Sequence, residues 1–330
     1  MSKKWLWAVP VVILLGYAVG PNPATPRYNY GIPSTPHQLD SLESFVNRLE
    51  SAHKLKPDNQ ARIIWANKSR KEKTEYAIVY LHGFSASQAE GEPVHRDIAK
   101  KFGCNLYLAR LAEHGIDTVD ALANFTAEKY WESAKQAFAI GKQLGNKVIV
   151  IGCSTGGTAA LMLAAHFPEI YSLVLLSPNI ALFDSKAWIL NNPWGLQVAR
   201  NILHSEYYVS TDNRDLYKQY WYPKFRIEGL VQVEELVESS MTSATFKEIH
   251  QPTLTLYYYK DQVHQDSVVS VEAMRKMMNK LGTPAESKHF IAVPNAGNHV
   301  VGSYIKSKDL KTVEMEIEKF LTQVLTIKPQ

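Results

Sequence analysis

The sequence predicts an α/β protein with a mostly parallel central sheet covered by helices on both faces, on three observations. Short β-branched and aromatic runs alternate with helical segments along most of the chain, the pattern of repeated βα units. Val148 to Ile151 reads as a strand buried on both faces. That strand runs through Gly-Cys-Ser-Thr-Gly-Gly directly into the alanine-rich helix Thr158 to Ala165. In chain order the expected strands are "RIIWAN", "YAIVYLHGF", "NLYLAR", "KVIVIGC", "YSLVLLSP", "PTLTLYYY" and "KHFIAVP", with helices such as Tyr130 to Leu144 between them.

At 330 residues and 45% hydrophobic composition the chain holds a packed core. Its net charge of +4 is spread over 36 basic and 32 acidic residues, with no dense basic block beside aromatic positions, which argues against nucleic acid as a partner. The two cysteines, Cys104 and Cys153, build neither a disulfide framework nor a metal site. They read as packing residues, and no metal or cofactor is expected.

Residues 1–20 read as a signal peptide or an N-terminal membrane anchor: Lys3 and Lys4 precede an apolar run from Trp5 to Val19. The run is short for a spanning helix and long for a cleaved signal, and both readings stay open. Either way the lysines hold the amino end inside, so the bulk of the chain is exported, tethered facing out or released. Residues 21–58 form a Pro-rich linker and the helix "SLESFVNRLESAHKL". An α/β core is expected over 59–178 and 250–330, interrupted by a mostly helical cap at 179–249. Between Pro178 and Pro252 roughly seventy residues pass without a clear buried strand, too long for a structureless loop in a compact domain. They are rich in aromatics; most should pack the cap onto the core, while Trp188, Trp194 and Trp221 are candidates to line an apolar pocket.

The corner at Ser154 suits a nucleophile. Gly152, Gly156 and Gly157 remove Cβ atoms where strand and helix backbones come closest, and the serine faces the amino end of a helix whose N–H groups favour developing negative charge. The loop lacks the lysine of a phosphate-binding loop. Serine needs a base oriented by an acid. His299 follows a strand and a Pro/Asn/Gly turn, which places it at the carboxyl edge of the sheet. Asp261, just past the tip of "TLTLYYY", is the expected acid, while Asp266 looks like a helix N-cap and His264 a pocket residue. The N–H groups of Phe84, after "LHG", and of Thr155 are the expected donors to an oxyanion.

The stretches "LHGFSAS", "YLARLAEHGID", "GCSTGG" and the pair "YYYKDQV" with "AGNHV" occur in the order found in the α/β-hydrolase superfamily. From about Arg62 to Leu325 the chain resembles its monoacylglycerol-lipase-like, carboxylesterase and serine aminopeptidase members. The resemblance implies the α/β-hydrolase fold and a triad of Ser154, Asp261 and His299 with Phe84 and Thr155 as oxyanion donors. Two positions depart from the pattern: Tyr258 and Asn298 stand where glycine is usual. The expected activity is cleavage of a small apolar carboxylic ester or thioester through an acyl-enzyme. Acyl transfer or peptide cleavage on the same triad are alternatives, the latter with an amine site built from Glu228, Glu234, Glu235 and Glu238, and a catalytically silent binding protein is the non-enzyme alternative. Substrate identity and oligomeric state are not legible in the sequence.

Overall fold

The computed structural model describes residues 14–330. Most of the apolar run from Trp5 to Val19, and with it the choice between signal and anchor, lies outside the described residues. Among the described residues no helix is long and apolar enough to cross a membrane.

Among the described residues nine strands form: β1 (Arg62–Ile64), β2 (Thr74–Leu81), β3 (Asn105–Leu108), β4 (Gly145–Cys153), β5 (Ile170–Leu176), β6 (Tyr207–Val209), β7 (Lys224–Arg226), β8 (Thr253–Tyr257) and β9 (Lys288–Ala292). Seven of them make one sheet in the order β1-β3-β2-β4-β5-β8-β9. Only β1 runs antiparallel to its neighbour; the other pairs are parallel. The carboxyl ends of β2, β4, β5, β8 and β9 therefore gather along one edge.

The helices are α1 (Leu39–Ser51), α2 (Val94–Lys101), α3 (Ala127–Leu144), α4 (Thr155–His166), α5 (Gly195–Leu203), α6 (Asp215–Tyr220), α7 (Ile227–Ser240), α8 (Ser243–Lys247), α9 (Val271–Lys280) and α10 (Leu310–Lys319). Side chains alternate across each central strand, and the sheet is apolar on both faces because both are covered. Val79, Leu81, Val148, Val150, Leu173 and Leu175 pack on one side with residues of α3 and α4. Ile78, Tyr80, Ile149, Ile151, Val174 and Leu176 pack on the other with residues of α2 and α10. Helix α4 is buried from Thr155 to Ala164, which is why its composition is alanine and leucine with no polar stripe.

The Pro-rich segment before α1 is held on the core. The Trp131 indole N–H donates to the Asn29 carbonyl at 2.6 Å and the Lys135 ammonium to that of Gly31 at 2.8 Å. Between β5 and β8 the chain holds α5, α6, α7 and α8 and, in addition, β6 and β7, which pair antiparallel as a separate two-stranded sheet. Each is three residues long with little buried surface, so neither carries a strand signal.

Candidate active site

Ser154 stands alone between the end of β4 and the start of α4, with φ 52° and ψ −122°. A non-glycine residue held there costs on the order of 1–3 kcal/mol, supplied by the surrounding structure. The corner is pinned by Ser154 N–H donating to the Leu176 carbonyl at 2.9 Å, and by the Ser154 carbonyl accepting from the Gly157 and Asn179 amides at 2.8 and 2.9 Å. The close approach expected of the glycines is present. A Cβ on Gly156 would lie 2.0 Å from the Leu81 carbonyl oxygen, and one on Gly152 2.5 Å from the Gly156 oxygen.

His299 comes from the loop after β9 and shares a cavity with Ser154. Its Nδ1–H donates to Asp266 Oδ2 at 2.6 Å. Its Nε2 is buried and has no hydrogen-bond partner among the described residues, so that nitrogen is available as a proton acceptor. Burial works to lower the imidazole's pKa. The Asp266 charge and hydrogen bond, with Glu90 adding to them, outweigh burial and raise it above the ordinary histidine value.

The acid beside His299 is thus Asp266, a correction of the expected Asp261. Asp261 lies in an exposed turn, where its Oδ1 accepts from the Val263 and His264 amides and from His264 Nδ1 at 2.9, 2.8 and 2.9 Å. Closing that turn on itself keeps Asp261 and His264 away from the cavity, and the backbone returns to the site at Asp266, whose N–H donates to the Tyr258 carbonyl. Asp266 is fully buried; its Oδ1 accepts from the Val268 and Val269 amides at 2.9 and 3.0 Å, which leaves Oδ2 for the imidazole. The N-cap of α9 is Ser270, which accepts from the Ala273 amide.

The loop after β2 is tied amide by amide. His82 Nε2 accepts from the Leu111 amide at 3.0 Å, so the proton sits on Nδ1, which donates to the Gly83 carbonyl at 2.9 Å. Burial pushes this imidazole down to about 4 and keeps it neutral. The Gly83 amide donates to the Glu90 carboxylate and the Ser85 amide to His114 Nε2 at 3.0 Å. Between them the Phe84 amide has no acceptor among the described residues, and neither has that of Thr155 at the first turn of α4. Both residues line the cavity with Ser154. His114 and Glu90 escaped sequence reasoning. His114 lies inside the "AEHG" stretch, but nothing in it signals a bond to a loop 29 positions earlier; Glu90 sits in a polar loop that reads as surface.

The cavity measures about 410 Å3 and is walled by the insertion through Tyr208, Tyr217, Trp221 and Phe225. Of the three candidate tryptophans it takes only Trp221, buried and stacked on Tyr217 at 5.4 Å. Trp188 and Trp194 are 51% and 41% exposed and do not reach it. Trp194 instead starts α5, its indole N–H donating to the Gly16 carbonyl at 2.9 Å. Nor do the cap glutamates form an amine site: none lines the cavity, and Glu228 is taken by Arg200 and Arg226. Among the described residues no group of His, Cys, Asp and Glu side chains is arranged to hold a metal ion.

A sequence model described as "Alpha/beta hydrolase family" matches residues 78–304, the span that includes Phe84, Ser154, Asp266 and His299. The chain belongs to the alpha/beta hydrolase family. This hydrolase is 27% identical over 190 residues to the thermostable monoacylglycerol lipase of Bacillus sp. (strain H-257), covering 56% of the present chain and 70% of that protein. It is 30% identical over 104 residues to a probable alcohol acetyltransferase of Saccharomyces cerevisiae (strain ATCC 204508 / S288c), covering 31% and 30%. Among solved structures, one of the metagenome-derived lipolytic enzymes LipS and LipT superposes with a TM-score of 0.65 at 16% identity, covering 82% of this chain and 100% of that one. Est1E from Butyrivibrio proteoclasticus with bound ferulic acid gives a TM-score of 0.54 at 16% identity, covering 81% and 95%. At such identities the superpositions establish the fold.

Proposed function

We propose that this hydrolase is a serine esterase that cleaves a small apolar carboxylic ester, acylglycerol-like in character, through an acyl-enzyme on Ser154. The observation that carries the reading is the Asp266–His299 pair, with a bare Nε2, in the same cavity as a strained serine and two unsatisfied amides. In this reading His299 Nε2 takes the Ser154 proton as Oγ attacks the ester carbonyl, and the Phe84 and Thr155 amides hold the oxyanion. The imidazolium then protonates the departing alkoxide. Water, deprotonated by the same nitrogen, cleaves the acyl-enzyme and regenerates the serine. Asp266 fixes the tautomer that leaves Nε2 bare and stabilises the cation formed in each step.

The aromatic wall of the cavity supports an apolar acyl group, and the monoacylglycerol lipase relative supports an ester of that kind. Hydrolysis of p-nitrophenyl esters from acetyl to decanoyl tests the reading. Wild type should show a chain-length optimum, and Ser154→Ala should fall to background at every length while keeping its thermal transition. Activity persisting in Ser154→Ala would reject it. The amino-terminal run with its two lysines supports export of the catalytic part. A carboxyl-terminal reporter active only outside the cytoplasm is the result this topology requires, and a reporter active only inside would reverse it.

A further inference from the structure

Glu90 is a buried carboxylate that the reaction as described leaves unused. It lies in the short 3-10 turn Gln88–Gly91, is 2% exposed, and lines the same cavity as Ser154 and His299. The turn is clamped to the loop that follows His299: Ser303 Oγ donates to the Ala89 carbonyl at 2.7 Å and the Tyr304 amide to that of Glu92 at 2.9 Å. Its carboxylate accepts the Gly83 amide. A Cβ on Gly83 would stand 2.8 Å from Ser154 Cβ and 2.9 Å from Glu90 Oε1, so carboxylate, oxyanion loop and nucleophile meet at one point. Among the described residues no Lys or Arg pairs with it; Lys306, which also lines the cavity, is paired with Asp212. A carboxylate buried without a cation is costly, and an apolar residue would fill the same space at less expense.

We infer that Glu90 is a positioning residue of the acyl-transfer site, its carboxylate fixing the Gly83 amide so that the next N–H, that of Phe84, stays turned to the oxyanion, while its charge faces His299. The inference rests on the reading of Ser154 and His299 as nucleophile and base. The two peptides that meet at Gly83 are each held: the one that carries the Phe84 N–H at its Gly83 carbonyl by His82, and the one before it at the Gly83 amide by Glu90. With both planes fixed the Gly83 dihedrals are set, and releasing the Glu90 bond frees the preceding peptide to swing and carry the Phe84 N–H off its aim. Burial pushes the Glu90 carboxyl up to about 7, against the Gly83 amide, the His299 charge and Cys153, which lower it. The other titratable groups around it are Tyr80, Tyr130, Cys153 and Tyr217, all raised by burial and hence neutral, with His95 behind Tyr80 held neutral by burial. Asp266 and Glu90 are therefore the carboxyl groups that face His299, Glu90 ionised only in part near neutral pH.

Two full-length variants separate the roles. Glu90→Met fills the space but accepts no hydrogen bond; Glu90→Gln keeps an acceptor oxygen and drops the charge. With p-nitrophenyl acetate, Glu90→Met should lose about 100-fold in kcat with KM changed less than about threefold, the size of effect seen when an oxyanion donor is lost. Glu90→Gln should recover most of that kcat and move the acid limb of kcat/KM to lower pH, since His299 loses the part-ionised carboxyl beside it and deprotonates more readily. A wild-type kcat in Glu90→Met, or a Gln variant no better than Met, would overturn the inference. If Glu90→Met does not fold, the acid limb of Glu90→Gln decides, and an unshifted limb contradicts it. Ser154→Ala measured alongside keeps the two readings apart: activity in that variant condemns the triad itself, whereas a dead Ser154→Ala with Glu90-insensitive kinetics condemns only the role of Glu90.

Discussion

Asp266 uses one oxygen to hold the Val268 and Val269 amides and the other to hold His299. The backbone bonds fix the carboxylate, and the carboxylate fixes the ring. Asp266→Asn should lower kcat for ester hydrolysis by about 10,000-fold, because an amide supports the wrong tautomer and does not stabilise the imidazolium. Asp261→Asn should stay within about twofold, a surface change in a turn remote from the cavity; a reversed order in steady-state kinetics would restore Asp261. The expectation of Asp261 follows from distance along the chain past the strand tip. What defeats it is a turn closed by Asp261's own hydrogen bonds, a local competition that sequence spacing does not express. The raised pKa of His299 has a second consequence. A base acts only when neutral, so kcat/KM should fall as pH drops through a value above the ordinary histidine figure of about 6.5. A pH–rate profile whose acid limb lies below that figure would contradict the pairing with Asp266.

The strands of the sheet were legible because the central ones are buried on both faces and read as runs of apolar and β-branched residues. The serine corner was legible because only small residues fit where a Cβ would strike Leu81 or Gly156. The segment between β5 and β8 was legible as a break in the strand rhythm and not in its details. Tryptophan content signals packing somewhere, but whether Trp188, Trp194 or Trp221 faces the cavity depends on how α5, α6 and α7 settle on the core. That difference is measurable. Trp221→Ala opens the cavity wall and should change the ratio of kcat/KM between short and medium acyl esters by roughly tenfold, the worth of one to two methylenes in an apolar pocket. Trp188→Ala, on the outer surface, should leave the ratio alone. Equal effects of the two substitutions would mean that the acyl group is held elsewhere.

On the scale of the whole molecule, residues far apart in sequence converge because parallel strands deliver their following loops to one edge. Phe84 follows β2, Ser154 follows β4, Asp266 follows β8 and His299 follows β9. The chemistry proposed for that edge requires an acyl-enzyme, and a fluorophosphonate probe reports on it directly, since only a serine activated by a neighbouring base reacts at neutral pH. Labelling of the full chain followed by peptide mapping should place a single adduct on Ser154, formed within minutes and absent from Ser154→Ala. An unlabelled wild-type protein, or an adduct on any other residue, would contradict the account.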